Sequence, residues 1–239
     1  MPAPSGSGYT FYYVNAGKVT NQGFELTLGG DPIKNENFRW NTSVNLSQNK
    51  NKIVELIADN PGYQVGSDSE GFNSIIKAGG SFNDLYIFKF ARNASGQIIL
   101  DDAGKPSKAA TQEYVGNLNP KLITGWNNTF TYKNLSLSTL VTAKFGGVAF
   151  SKTEAFLDSY GVSKRTGEAR DAGSIPINAI MGTTPQSSID PALYYSTIGD
   201  RNGIMEPYVF SRTNVRLAQV SLAYNLPIKG SAIKSASIS

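Results

Sequence analysis

There is no cysteine and no histidine in this chain. The first absence excludes a disulfide scaffold, a thiolate metal site and a cysteine nucleophile. The second removes the commonest general base and the commonest metal ligand, so Ser–His–Asp chemistry is impossible and a zinc site would have to be built from carboxylates alone. Charge is also scarce. Charged residues make up 17% and hydrophobic residues 40% of the 239 positions, against soluble-protein averages of about 25% and about 45–50%. The 22 basic and 18 acidic side chains are scattered without a run of one sign, and the net +4 gives no support to nucleic-acid binding. No apolar run is long enough for a transmembrane helix. Residues 1–10 lack the basic and apolar regions of a signal peptide, so in an exported protein Met1 is expected not to be the natural start.

What fills the chain instead is Gly, Ser, Thr and Asn, a mixture suited to many strands with one polar face. The clearest case is residues 119–147. In the first arm Leu122, Trp126, Phe130 and Tyr132 alternate with Lys121, Gly125, Asn127, Thr129 and Thr131, with Ile123 the exception. In the second, Leu135, Leu137, Val141, Ala143 and Phe145 alternate with Ser136, Ser138, Thr142 and Lys144. Period-2 alternation places the two sets on opposite faces of a sheet, with a tight turn at Lys133-Asn134. Each arm has the roughly 9–11 residues that a tilted strand needs to cross a bilayer. Residues 38–48 repeat the pattern, with Phe38, Trp40, Val44 and Leu46 on one face. Residues 208–226 repeat it again, with Ala218, Val220, Leu222, Tyr224 and Leu226 opposing Gln219, Ser221, Ala223 and Asn225.

Between these hairpins lie long connections, residues 91–118 and 146–207, which read as irregular apart from one helix at 152–160. That helix has Ser151 as N-cap, Glu154 in capping-box position and Gly161 at its end. Stretches of this length are uncommon in compact soluble domains but expected on one side of an outer-membrane barrel. Phe38, Trp40, Tyr132 and Tyr224 all lie near the short turns, where a membrane-interface girdle would put them. Alternation alone also suits a soluble extracellular β-sandwich that binds glycans or surfaces. The two readings differ in whether Phe24, Trp40, Leu46, Leu137 and Val141 face outward or pack between two sheets.

No catalytic set can be assembled, and neither a cofactor nor a metal site is expected. Asp101-Asp102 reads as a solvated turn, with a cation site as the alternative. Asn in the sequons at 41, 45, 93, 127 and 134 reads mainly as polar wall. Phe82, Asn83, Asp84 and Tyr86 combine an aromatic surface with amide and carboxylate groups, the chemistry that stacks on and hydrogen-bonds a sugar or peptide; loop packing is the competing reading. Arg165, Arg170 and Arg201 are candidates for acidic ligands or lipopolysaccharide, or ordinary loop charge.

Several segments carry a resemblance to a known family. They are Asn15-Ala16-Gly17-Lys18-Val19 with Asn21-Gln22-Gly23-Phe24-Glu25-Leu26; Phe38-Arg39-Trp40-Asn41-Thr42 with Asn49-Lys50-Asn51-Lys52-Ile53; Gly116-Asn117-Leu118-Asn119-Pro120-Lys121 with Tyr132-Lys133-Asn134-Leu135-Ser136-Leu137 and Gly146-Gly147; and Leu222-Ala223-Tyr224-Asn225-Leu226-Pro227. In this order they resemble the SusC/RagA-like TonB-linked outer-membrane receptors of Bacteroidetes. The resemblance implies an all-β fold, an antiparallel transmembrane β-barrel fragment: a curved open sheet of about six to eight strands from the C-terminal portion of a 22-stranded barrel, with residues 1–239 part of that single domain and the plug and closing strand outside it. It further implies the Gram-negative outer membrane, active import of a glycan or peptide fragment through TonB, a SusD-like surface lipoprotein as partner, and no enzyme activity. The Lys133-Asn134 turn is then periplasmic, Gly146-Gly147 extracellular, and lipid and lipopolysaccharide are the wall's neighbours.

Overall fold

The computed structural model describes residues 6, 8, 17–57, 62–65, 71–227 and 236–238. The aromatic stretch at 9–14, Asn15-Ala16 and residues 228–235 lie outside these. Two compact units divide the chain. A wall unit comprises Asn21–Lys50, Asn119–Val148 and Ser211–Ser239, and a loop unit Met1–Thr20, Asn51–Leu118 and Ala149–Phe210.

The strands in chain order begin with β1 (Gly17–Lys34), β2 (Phe38–Leu56), β3 (Tyr63–Val65), β4 (Phe72–Ile76), β5 (Asp84–Ile87), β6 (Ile98–Leu100) and β7 (Glu113–Asn117). The central hairpin is β8 (Leu122–Tyr132) and β9 (Leu135–Phe145), followed by β10 (Val148–Phe150). Then come helices α1 (Lys152–Ser159) and α2 (Lys164–Ala172), strands β11 (Ile175–Met181) and β12 (Thr184–Ile189), and helix α3 (Pro191–Ile198). The chain closes with β13 (Val209–Ser211), β14 (Asn214–Leu226) and β15 (Ala236–Ile238).

The wall unit is built on one six-stranded sheet in the order β1-β2-β8-β9-β14-β15, an up-and-down arrangement. The β2–β8, β8–β9, β9–β14 and β14–β15 pairs are antiparallel. Short turns close one end. At the first, Asn35 Oδ1 accepts the Asn37 and Phe38 amides at 3.1 and 2.8 Å. At the second, Lys133 takes a left-handed φ of 50°. Long connections leave the other end. Gly23 is required by close approach, because a Cβ there would stand 2.3 Å from the Gln48 carbonyl oxygen.

The registers align the apolar residues into cross-strand rows. Phe38, Tyr132, Leu135 and Tyr224 form one, Trp40, Phe130, Leu137 and Leu222 the next, and Val44, Trp126, Val141 and Leu217 a third further along. The other face carries Asn41, Thr129, Ser138 and Ser221 in one row, with the Thr129 and Ser138 hydroxyls 3.2 Å apart. Ala218 is an extra, unpaired residue between Leu217 and Gln219, so Val215 and Leu217 share the apolar face with Val220 and Leu222. The alternation read along 208–226 starts only after this bulge.

The apolar face is not a sandwich interior. Leu217, Val220 and Leu222 are 60%, 58% and 57% exposed, and Phe24 and Trp126 are also open. A stripe four strands wide left in water forfeits about 25 cal/mol for each Å² that burial would have removed. The face is therefore made for a non-aqueous neighbour, and the soluble-sandwich alternative is overturned.

One polar row interrupts it. Asn128, 5% exposed, accepts the Trp40 indole N–H at 3.1 Å. Thr42 Oγ1 lies 2.9 Å from Asn128 Oδ1 and 3.1 Å from the Asn127 carbonyl, gives its one hydrogen to one of them, and accepts the Trp126 indole at 3.0 Å. Both indoles are thus satisfied within the sheet, as an apolar surrounding demands. Asn128→Leu keeps the shape and strands the Trp40 N–H. It is expected to cost about 1–3 kcal/mol in urea unfolding of the protein in micelles; an unchanged midpoint would refute this account.

The loop unit is not irregular, contrary to the reading of 91–118 and 146–207. It holds a sheet β3-β4-β5-β7 and a second, β12-β11-β6, in which β6 runs parallel to β11. Leu100, Ala179 and Ile189 centre one cluster, while Ile53, Leu85 and Ile87 are essentially fully buried. β2 also runs past Gln48 to Leu56. Helix α1 starts where the sequence places it, with Ser151 Oγ accepting the Glu154 amide at 3.1 Å. Glu154 does not close the capping box; its carboxylate lies 3.6 Å from Arg165.

Candidate functional site

The candidate residues Phe82, Asn83, Asp84 and Tyr86 fall on the turn between β4 and β5 and on β5 itself. Two segments distant in sequence tie that turn down. From the end of β2, Ile53 exchanges backbone hydrogen bonds with Gly79 and Gly80, both 2.9 Å, and Asn51 Oδ1 accepts the Phe82 amide at 2.9 Å. From β7, Asn117 Nδ2 donates to the Phe82 carbonyl at 2.7 Å and to Asp84 Oδ1 at 2.8 Å, and the Leu118 amide reaches the Asn83 carbonyl at 2.9 Å. Asp84 Oδ2 accepts the Ser81 amide at 2.8 Å. Asn51, Ile53, Asn117 and Leu118 all come from the family-like segments, which thereby acquire a physical role: they lock one turn.

The lock decides which candidates are presented. Asp84 and Tyr86 are each 5% exposed; the first is spent on the turn, the second packs under Tyr114 and carries Lys77 Nζ 4.9 Å from its ring centroid. Asn83 holds a left-handed φ of 65°, a conformation kept only when its surroundings impose it. Phe82 is the member left open, at 39%.

Helices α1 to α3 hold a second constellation that sequence reading missed. Asp158, 1% exposed on α1, accepts Ser163 Oγ at 2.6 Å, Arg165 Nε at 3.0 Å and the Tyr208 hydroxyl at 2.9 Å, and also pairs with Arg165 Nη2. Burial, then the bond to Asp158, pushes the Tyr208 hydroxyl well above its ordinary range. Burial likewise pushes the neighbouring Tyr194 up to about 12. Of the three loop arginines, Arg165 is therefore structural. Arg170 donates to the Gly161 carbonyl at 2.7 Å and borders a cavity, and the Arg201 carbonyl accepts from Lys152. The only early signal was that Asp158 follows the buried Ala155 by three residues on a capped helix.

Glu206 ties the unit together elsewhere. It receives both Arg92 donors at 2.9 Å and the Phe90 amide at 3.0 Å. Burial pushes its carboxyl up, but these bonds and the Arg92 charge outweigh that and hold it below the usual glutamate range. A depressed carboxylate contributes stability above its unfolded pKa and loses it as pH falls through the folded one. Protease cleavage of the 88–110 segment in the protein is therefore expected to be constant at neutral pH and to rise below about pH 4.3, with Glu206→Gln abolishing the acid dependence. A Glu206→Gln profile identical to the parent's would reject this linkage.

Asp101 is occupied as a turn acceptor for the Ala103 and Lys105 amides at 2.9 and 2.8 Å. Among the described residues no group of three or more acidic side chains is placed to hold a metal ion. Phe38, Tyr132 and Tyr224 occupy the cross-strand row at the short-turn end of the wall, with Trp40 one row inward and stacked on Phe130 at 5.9 Å. No helix among the described residues is long and apolar enough to cross a membrane.

No family model matches the chain. The TonB-dependent receptor P3 of Formosa agariphila is 27% identical over 249 residues, covering 95% of this chain and 24% of that protein. The TonB-dependent receptor SusC of Bacteroides thetaiotaomicron is 29% identical over 110 residues, 43% of this chain and 10% of its own length. Among solved structures, the RagAB peptide importer in its open-open state superposes with a TM-score of 0.65 at 18% identity, over 99% of this chain and 26% of the other. The chain thus spans about a quarter of the length of the P3 relative and of the matched RagAB chain. The chain is accordingly similar over nearly all of its length to TonB-dependent receptors, and its six-stranded sheet with an exposed apolar face has the fold of a stretch of outer-membrane barrel wall.

Proposed function

We propose that the chain supplies wall strands and loops to a receptor that imports a glycan or peptide fragment, driven through TonB and lidded by a SusD-like surface lipoprotein. The observation that carries this reading is the six-stranded sheet with one continuous apolar face, turns at one end and long structured connections at the other, in a chain similar over nearly all its length to TonB-dependent receptors. In this reading the polar face lines the lumen. Phe38, Trp40, Tyr132 and Tyr224 form the periplasmic-side girdle, and Gly146-Gly147 mark the extracellular rim. Phe82 meets the ligand, while Asp84 and Tyr86 hold the turn that presents it. The protein binds and moves its ligand without altering it.

The test uses the whole receptor in its native outer membrane. A tagged receptor is expected to copurify with a surface lipoprotein. A receptor deletion is expected to abolish growth on either glycan or peptide mixtures as sole nutrient, and loss of TonB to copy that defect. Phe82→Ala is expected to weaken ligand binding roughly tenfold at unchanged surface level. A receptor recovered in the aqueous fraction, or uptake indifferent to TonB, would overturn the proposal.

A further inference from the structure

We infer that the cavity between α1, α2 and α3 binds a carboxylate carried on a ring or a short apolar group. The cavity is about 350 Å³, enough for one ring and its substituent. Tyr160, Leu193 and Tyr195 supply apolar walls, and Tyr160 at 78% exposure stands at the mouth. The buried polar floor is already partnered: Asp158 by Arg165, Ser163 and Tyr208, and Thr166 by donation to the Ser163 carbonyl at 2.8 Å. The floor therefore asks nothing of a ligand. Arg170 differs. One guanidinium nitrogen donates to the Gly161 carbonyl at 2.7 Å, and no carboxylate pairs with it among the described residues. An aromatic-walled cavity with one uncompensated, fork-shaped cation selects an anion of planar geometry, and a carboxylate accepts the fork two-pronged. The terminal residue of a peptide and a uronic acid both present this chemistry. The site does not depend on import, so binding here and failure of transport are separable results.

The experiment is calorimetric titration of the whole receptor in detergent with three probes: N-acetylphenylalanine, its uncharged amide, and glucuronate. At least one acid is expected to bind saturably, and N-acetylphenylalanine, if it is that acid, roughly tenfold or more tighter than its amide. Binding of N-acetylphenylalanine alone identifies a peptide terminus; binding of glucuronate alone identifies an acidic sugar. Arg170→Gln is expected to abolish the binding of the acid that the parent takes up. Arg170→Lys, which keeps the charge without the fork, should retain part of it. Lys164→Gln removes a charge from the same helix outside the cavity and should change nothing. The inference is overturned if neither acid binds, if N-acetylphenylalanine is the sole binder and its amide matches it, if Arg170→Gln binds like the parent, or if Lys164→Gln loses as much as Arg170→Gln.

Discussion

Replacing Arg165 by methionine is expected to open the helical part of the loop unit, at about 4 kcal/mol, the middle of the range for breaking a buried ion pair. The asymmetry between the partners sets the size. The Asp158 side chain is 0% exposed and that of Arg165 35%. Without Arg165, a carboxylate remains inside the unit with only the Ser163 and Tyr208 hydroxyls to hold it. Without the Asp158 charge, water reaches the guanidinium, so Asp158→Asn is expected to cost less, about 1–3 kcal/mol. Removing both, as Arg165→Met with Asp158→Leu, should recover part of the single loss, because no charge is then left unpaired, although the Tyr208 hydroxyl loses its acceptor. Hydrogen exchange across residues 151–210 of the receptor, read as opening free energy, measures all three. Equal effects of the two single changes would show that the pair is not buried as described.

The second large effect separates the two faces of the wall. Val141 and Thr142 are neighbours on β9, so lysine at one meets lipid and at the other the polar face. Val141 lies in the row of Val44, Trp126 and Leu217, well inside the strand ends. Val141→Lys is expected to cost about 2–4 kcal/mol in urea unfolding from bilayers, the depth-dependent penalty for a cation on a barrel exterior, and Thr142→Lys close to nothing. An exposed valine in water would accept lysine at little cost. Comparable tolerance at both sites would therefore sink the lipid assignment.

The wall was legible because its information is periodic. Phe130, Tyr132, Leu135 and Leu137 declare a face by alternation, and family-like segments placed the strands in order. The loop unit was not, because its strands run three to seven residues and carry little alternation. Helix α2 has a single buried residue, Thr166, and owes its existence to the Ser163 cap and to Gly173 at its end, with φ 77°. Helix α3 did advertise itself through Asp190-Pro191, an N-cap before proline at the first turn, within a stretch otherwise dominated by Gly, Ser and Thr. The candidate turn shows the limit on the site side. Residue type announces what Asp84 is able to do, but only the partners Ser81 and Asn117 reveal that it is already doing it. The strand reading stopped at 48 for the same reason: Asn49-Lys50-Asn51-Lys52 shows no alternation, and the hydrogen-bonding capacity of Asn51 is used by another part of the chain.

The unpaired Ala218 gives β14 a different kind of grammar from its neighbours. A strand is counted in twos, odd residues to one side and even to the other, and Ala218 is where the count changes parity. Excising it would remove the bulge and leave both halves in step, Leu217 beside Val141 and Gln219 beside Leu140, whereas excising any other interior residue of β14 would put one half out of phase and turn polar side chains toward lipid. Length changes inside the wall are therefore tolerable only in even steps, whereas the turns and long connections accept any number. Single-residue insertions and deletions in related sequences should accumulate in the loop unit and be filtered out of the strands, with position 218 as the one place in β14 where an odd count is already built in.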